Sequence, residues 1–179
     1  MGLIRDIKKL RCRLFNQLAG KDAVQVLQAA NDNRGELAVL VIDVQQEFCD
    51  PSHRERRGNR RTVKISDRIA SMMPAFRAAG IPVYAIYFDS SKRLRVRDVD
   101  WYKFRPEAGD ICVAKNADSA FDGSDIKKIL ERNGHKTLLA CGFNRSACVG
   151  KTVVDASIEG FNVLLLSDLV GNDNNNPHD

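Results

Sequence analysis

Three side chains in this 179-residue sequence could do chemistry together: an acid, Asp43, an amine, Lys115, and a thiol, Cys148. A thiolate attacks carbonyl carbon, a carboxylate can take the thiol proton and later activate water, and an ammonium keeps that carboxylate ionised and oriented. Each of the three follows an apolar run. Asp43 ends LAVLVI, Lys115 ends DICVA, and Cys148 stands a short turn beyond KTLLAC.

The stretch around the thiol reads CGFNRSACVGKTVVDASIEG, a strand end, a turn over residues 142–145 and a helix-forming segment over 146–159. Cys148 is therefore expected in a helix's first turn, where unpaired N–H groups and the positive end of the dipole favour a thiolate and could hold a developing oxyanion. A small, inert packing cysteine fits the same stretch. Asp43 alone fits the capping of a turn as well as it fits a ligand-binding rim.

The elements that must position these groups alternate regularly. Strands are expected over 37–42, 81–88, 110–114, 136–141 and 161–166, the last ending at Asp168. Helices are expected over 62–79, 123–133 and 146–159. This alternation predicts a three-layer α/β/α sandwich on a mostly parallel, Rossmann-like sheet with right-handed crossovers. Asp43, Lys115 and Cys148 then share the rim at the strands' carboxyl ends. Two long polar loops, 45–61 and 89–105, leave that rim and are expected to build a binding site or its lid, the second carrying Trp101 and Tyr102. Residues 1–34 read as an amino-terminal helical extension and 35–179 as the α/β domain. In the extension, Leu3, Ile7, Leu10 and Leu14 alternate with Arg and Lys to give a basic amphipathic helix, and a shorter helix is expected over 22–30.

The net charge of +5 is modest, and its basic clusters read as solvated faces. Without aromatic interleaving or a known module they do not point to nucleic acid. No apolar run is long enough to span a membrane and no secretory leader is legible, so a cytoplasmic location is expected. The five cysteines are odd in number and irregularly spaced, which suggests reduced thiols and no structural zinc.

Taken together, these residues resemble the isochorismatase-like cysteine hydrolases, which include nicotinamidases, N-carbamoylsarcosine amidases and isochorismatases. Three motifs carry the resemblance: LAVLVIDVQQEF, GDICVAKNADSAF and GFNRSACVGKTVVDASIEGFNVLLLSD. The resemblance implies Asp43 as base, Lys115 as its partner and Cys148 as nucleophile. It also implies a non-proline cis peptide at Phe143–Asn144, with the N–H groups of Asn144 and Cys148 forming an oxyanion hole. Gln45, Phe48, Phe121, Phe143 and Arg145 are the substrate-binding candidates.

The chain departs from the family in three places. Where nicotinamidases carry metal-binding Asp and His residues, it has His53 alone, so no metal or other cofactor is expected. Arg145 and Ala147 are unusual before the cysteine. The family's last helix and strand have no counterpart before the polar tail GNDNNNPHD, which leaves a sheet edge for a partner subunit to cover, so a homo-oligomer is expected. The expected activity is hydrolysis of an amide-type C–N bond in a small, carboxylate-bearing molecule through a thioester, with basic residues such as Arg145 meeting the carboxylate. Vinyl ether hydrolysis of the isochorismatase type, or a catalytically silent binding or assembly module, are the alternatives.

Overall fold

A computed structural model describes residues 19–25, 34–89 and 95–175. The basic helix expected over 3–18, most of the helix expected over 22–30, and Lys92, Arg93 and His178 lie outside the described residues. A six-stranded sheet, wholly parallel, forms the middle layer. Its strands are β1 (Ala19–Lys21), β2 (Leu37–Ile42), β3 (Val83–Phe88), β4 (Ile111–Lys115), β5 (Thr137–Phe143) and β6 (Asn162–Gly171), in the spatial order β1-β6-β5-β2-β3-β4. The helices are the single turn α1 (Gln46–Cys49), α2 (Arg60–Ala78), α3 (Ile126–Arg132) and α4 (Gly150–Ile158).

Every residue of β2 is buried, as a continuous branched-apolar run requires when both faces of a parallel strand are covered. Right-handed crossovers put α2 on one face, and α3 and α4 together on the other, where Lys127 and Glu159 pair. Helix α2 opens on a capping box: the Asn59 side chain accepts from the backbone of Arg61 and Thr62, and Thr62 Oγ1 accepts from Asn59 N at 2.8 Å. Gly80 closes the α2 end at φ 74°, a left-handed position that a side chain would strain.

The structure departs from the expected organisation at the sheet edge. The stretch Ala19–Lys21, expected within a helical extension, is a strand that pairs in parallel with Leu165 and Leu166 of β6. The edge expected to be left bare is thus lined by the chain's own amino-terminal segment. Strand β6 also runs past Asp168 to Gly171, through an irregularity in its register with β5 between Ala140 and Gly142. Asp168 does not sit on the rim. It accepts the N–H of Ala23 at 3.0 Å and pairs with Arg68 at 2.8 Å, which ties the amino-terminal segment to α2 and β6.

Candidate active site

Chain order reverses between β2 and β5, and the crevice at the carboxyl ends of such strands is where open α/β sheets bind ligands. Asp43 follows the last residue of β2 there and is almost fully buried, with φ at 53°. Its neighbour across the switch is Gly142, whose φ is 117° and where a Cβ would meet the Ile42 carbonyl oxygen at 2.0 Å. Only a glycine allows the two strand ends to approach so closely.

Lys115 ends β4, two strands from β2, a lateral separation of about 10 Å. A lysine is long enough to cross it. The side chain passes over the Phe88 ring at the end of β3, with Nζ 5.2 Å from the ring centroid, and reaches Asp43 Oδ2 at 2.8 Å. The ammonium also donates to the Ala117 carbonyl at 3.0 Å. Both side chains are sealed from solvent, and the carboxylate oxygens take no conventional hydrogen bond beyond their ion pair and the Cys148 thiol within reach.

Cys148 follows β5, past the cis peptide between Phe143 and Asn144. The chain here winds as a π-helical turn, Arg145–Val149, and α4 begins only at Gly150. Ala147 and Val149 both donate to the Asn144 carbonyl, at 3.1 and 2.9 Å, and so fold the turn around Asn144 with Cys148 between them. The thiol is therefore in a π turn, not in the first turn of an α-helix. Its pKa is pushed up to about 12, by burial first and then by the Asp43 carboxylate, with Lys115 pulling the other way. At rest the sulfur is a neutral thiol.

Burial likewise raises the Asp43 pKa, outweighing the pull of Lys115. Burial works to lower the Lys115 pKa, but the Asp43 carboxylate and the thiol more than reverse it, so the ammonium is held charged. The arrangement is a carboxylate–ammonium pair facing a protonated thiol, which can lose its proton to the carboxylate only as the sulfur gains an electrophile.

A cavity of about 250 Å³ opens beside the thiol. Phe48, Asn144 and Cys148 line it. The other substrate-binding candidates lie elsewhere. Gln45 is spent on the backbone: its Oε1 accepts from Phe88 N at 2.7 Å and its Nε2 donates to Phe88 O at 3.3 Å, which locks the ends of β2 and β3 together. Phe143 is wholly buried in β5, and Phe121 packs on Phe161 with ring centroids 5.7 Å apart. Arg145 is half-buried on the π turn and is not part of the cavity wall.

In their place the wall contains Glu47, Arg57, Phe88 and Asp118. Arg57 belongs to a cluster that reads as solvated from charge alone. Its guanidinium carbon lies 4.5 Å above the Phe48 ring centroid, and a spacing signal for that contact is absent because Arg57 is in irregular loop. Asp118 stands inside the lysine motif itself, three residues past Lys115. Its Oδ1 is 3.9 Å from Cys148 Sγ, and its other oxygen pairs with Lys151, which holds its pKa below the ordinary range. Because its charge also opposes the thiolate, Asp118→Asn is expected to lower the thiol pKa and speed iodoacetamide alkylation of Cys148 by about two- to five-fold at a fixed pH, an effect kept small by solvent screening of the half-exposed side chain. Unchanged alkylation rates across a pH series would refute the coupling.

The loop expected to build a binding site or its lid is, over its described residues, a strap. Tyr102 N donates to Val44 O at 3.0 Å and Gln46 N to Asp100 O at 2.7 Å. Trp101 is buried between Tyr87 and Phe104. Among the described residues no three His, Cys, Asp or Glu side chains converge as a metal-ligand set, and His53 Nδ1 faces the Glu55 N–H at 3.4 Å.

A family model described as the isochorismatase domain matches residues 37–179. N-carbamoylsarcosine amidase from Arthrobacter sp is 26% identical over 157 residues, covering 75% of this chain and 59% of that protein. Maleamate amidohydrolase from Pseudomonas putida is 30% identical over 74 residues, 41% of this chain and 35% of its own length. Among solved structures, a cysteine hydrolase from Pseudomonas syringae pv. phaseolicola superposes with a TM-score of 0.69 at 26% identity, covering 78% of this chain and 74% of that one.

Proposed function

Because the chain belongs to the isochorismatase family, whose members include amidases, we propose that it is a cysteine hydrolase that cleaves an amide-type C–N bond through a thioester on Cys148. The observation that carries this reading is the sealed Asp43–Lys115 pair, 2.8 Å apart, set against a thiol that burial keeps protonated.

The substrate carbonyl enters the cavity beside Cys148. Sγ attacks the carbon as Asp43 takes the thiol proton, and Lys115 holds the Asp43 carboxylate oriented before the transfer and again once its proton has left with the amine. The N–H groups of Asn144 and Cys148 receive the oxyanion. Collapse expels the amine, which leaves with the proton from Asp43, and the thioester remains. Asp43, again a carboxylate, deprotonates water, and the hydroxide displaces sulfur to release the acid and restore the thiol. Arg57 takes the role first expected of Arg145: Asp173 accepts from its Nε and Glu47 from its Nη1, which leaves Nη2 for a carboxylate or carbonyl oxygen of the substrate. A homo-oligomer remains part of the proposal, with the exposed edge at β4 in place of the β6 side as its candidate contact.

Intact-mass analysis of samples quenched with acid during turnover of a panel of small amides tests the reading. The expected result is an adduct of acyl mass on wild type, none on Cys148→Ala, and slower adduct formation in Asp43→Asn. The acylation rate should rise with pH through an inflection above the ordinary carboxylate range, as Asp43 loses its proton. Sustained hydrolysis by Cys148→Ala would sink the proposal.

A further inference from the structure

The polar run after β6 reads as a tail in the sequence, yet three of its residues are built into the site. Asn172 Oδ1 accepts from both the backbone N–H and the hydroxyl of Ser146, at 3.2 and 3.1 Å, inside the π turn that carries the nucleophile. The next residue, Asp173, donates its N–H to Asn144 Oδ1 at 2.6 Å and is almost fully buried. Its carboxylate accepts Arg57 Nε at 2.6 Å. Asn174 then closes the loop side: its N–H donates to Arg57 O at 2.7 Å, and its side chain donates to the carbonyls of Arg56 and Gly58, both at 3.1 Å. Asn59, the cap of α2, donates to Asn172 O and to Asn174 Oδ1.

We infer that Asn172 and Asp173 are positioning residues with separate tasks: Asn172 holds the nucleophile turn in register for oxyanion binding, and Asp173 aims Arg57 at the substrate. The inference rests on the hydrolase reading above. The division follows from the contacts. Asn172 accepts from Ser146, two residues before the nucleophile. The Asp173 carboxylate touches Arg57, whereas its contact with Asn144 is through the main chain and survives a change of side chain. A positioning error of about 1 Å at an oxyanion donor costs on the order of 10²-fold in rate. Loss of a fixed orientation for a guanidinium weakens only substrates that use it.

The test uses two activated esters that acylate a cysteine nucleophile directly, neutral p-nitrophenyl acetate and the anionic mono-p-nitrophenyl ester of succinate, followed by the nitrophenolate burst, with iodoacetamide alkylation as a control that needs no oxyanion hole. Asn172→Ala is expected to slow the burst by about 10- to 100-fold for both esters while alkylation changes less than about two-fold. Asp173→Asn is expected to raise the half-saturating concentration of the anionic ester by about ten-fold and leave the neutral ester within about two-fold. Equal losses for both esters and for iodoacetamide, in step with a fall in Tm, would make the segment a general structural support and overturn the inference, as would unchanged kinetics in both variants. Absence of any burst from wild type would instead defeat the hydrolase reading, and the positioning roles with it.

Discussion

Lys115→Met should destabilise the protein by about 3–5 kcal/mol at neutral pH, because it leaves the buried Asp43 carboxylate without its counter-charge. Methionine nearly preserves the side-chain volume, so a cavity contributes little to that figure. The carboxylate can escape by taking a proton, and the loss should therefore shrink as the pH falls. In wild type, the raised Lys115 pKa means that the stability contributed by the ammonium is fully present below the ordinary lysine value and is lost as the pH climbs through the higher folded one. Denaturant titrations at several pH values measure both trends. The double variant Lys115→Met/Asp43→Asn, with neither charge, should recover much of the stability and none of the activity. A single Lys115→Met variant as stable as wild type at neutral pH would mean that Asp43 is not ionised in the resting site.

Cys148→Ser should lower kcat by about four orders of magnitude or more, while the fold and the Asp43–Lys115 pair persist. Serine keeps the shape of the side chain with a smaller atom at its end, so the buried position is lightly underfilled rather than crowded. What changes is chemistry: a serine hydroxyl is a far poorer proton donor to a carboxylate whose own basicity is set for a thiol. Circular dichroism and thermal melts should match wild type, with Tm shifted by only a few degrees, and steady-state assays on any amide hydrolysed by wild type supply the rate. A residual rate within about ten-fold of wild type would remove Cys148 from the mechanism.

The sheet was legible because its strands are covered on both faces. Runs such as LAVLVI have no other economical place in a domain of this size, and five of the six strands lie where periodicity puts them, with shifted ends. The sixth, Ala19–Lys21, carries no such signal, since a three-residue edge strand is defined by its partner rather than by its own composition. The catalytic candidates followed from the same logic, each being the residue at or just past a strand end on one rim. The cavity wall did not. Arg57 and Asp118 join the cavity wall through irregular chain, and a loop's path is fixed by contacts distant in sequence, here the Arg57–Asp173 pair across 116 positions. The π turn was missed for a related reason: Ser146 and Asn144 are held by Asn172 and Asp173, so its winding depends on a segment that resembles a solvated tail.

The pairing of β1 with β6 also bears on how the chain comes off the ribosome. Ala19 is the first residue of β1, and its partner Leu165 follows 146 positions later. At bacterial-like elongation speeds of about 5–20 residues per second, that interval lasts roughly 7–30 s. Until then β1 has no strand to join, while β2, β3, β4 and, near the end of the interval, β5 can associate. The strands that carry Asp43 and Lys115 can thus associate before the edge strand β1 finds its partner in β6.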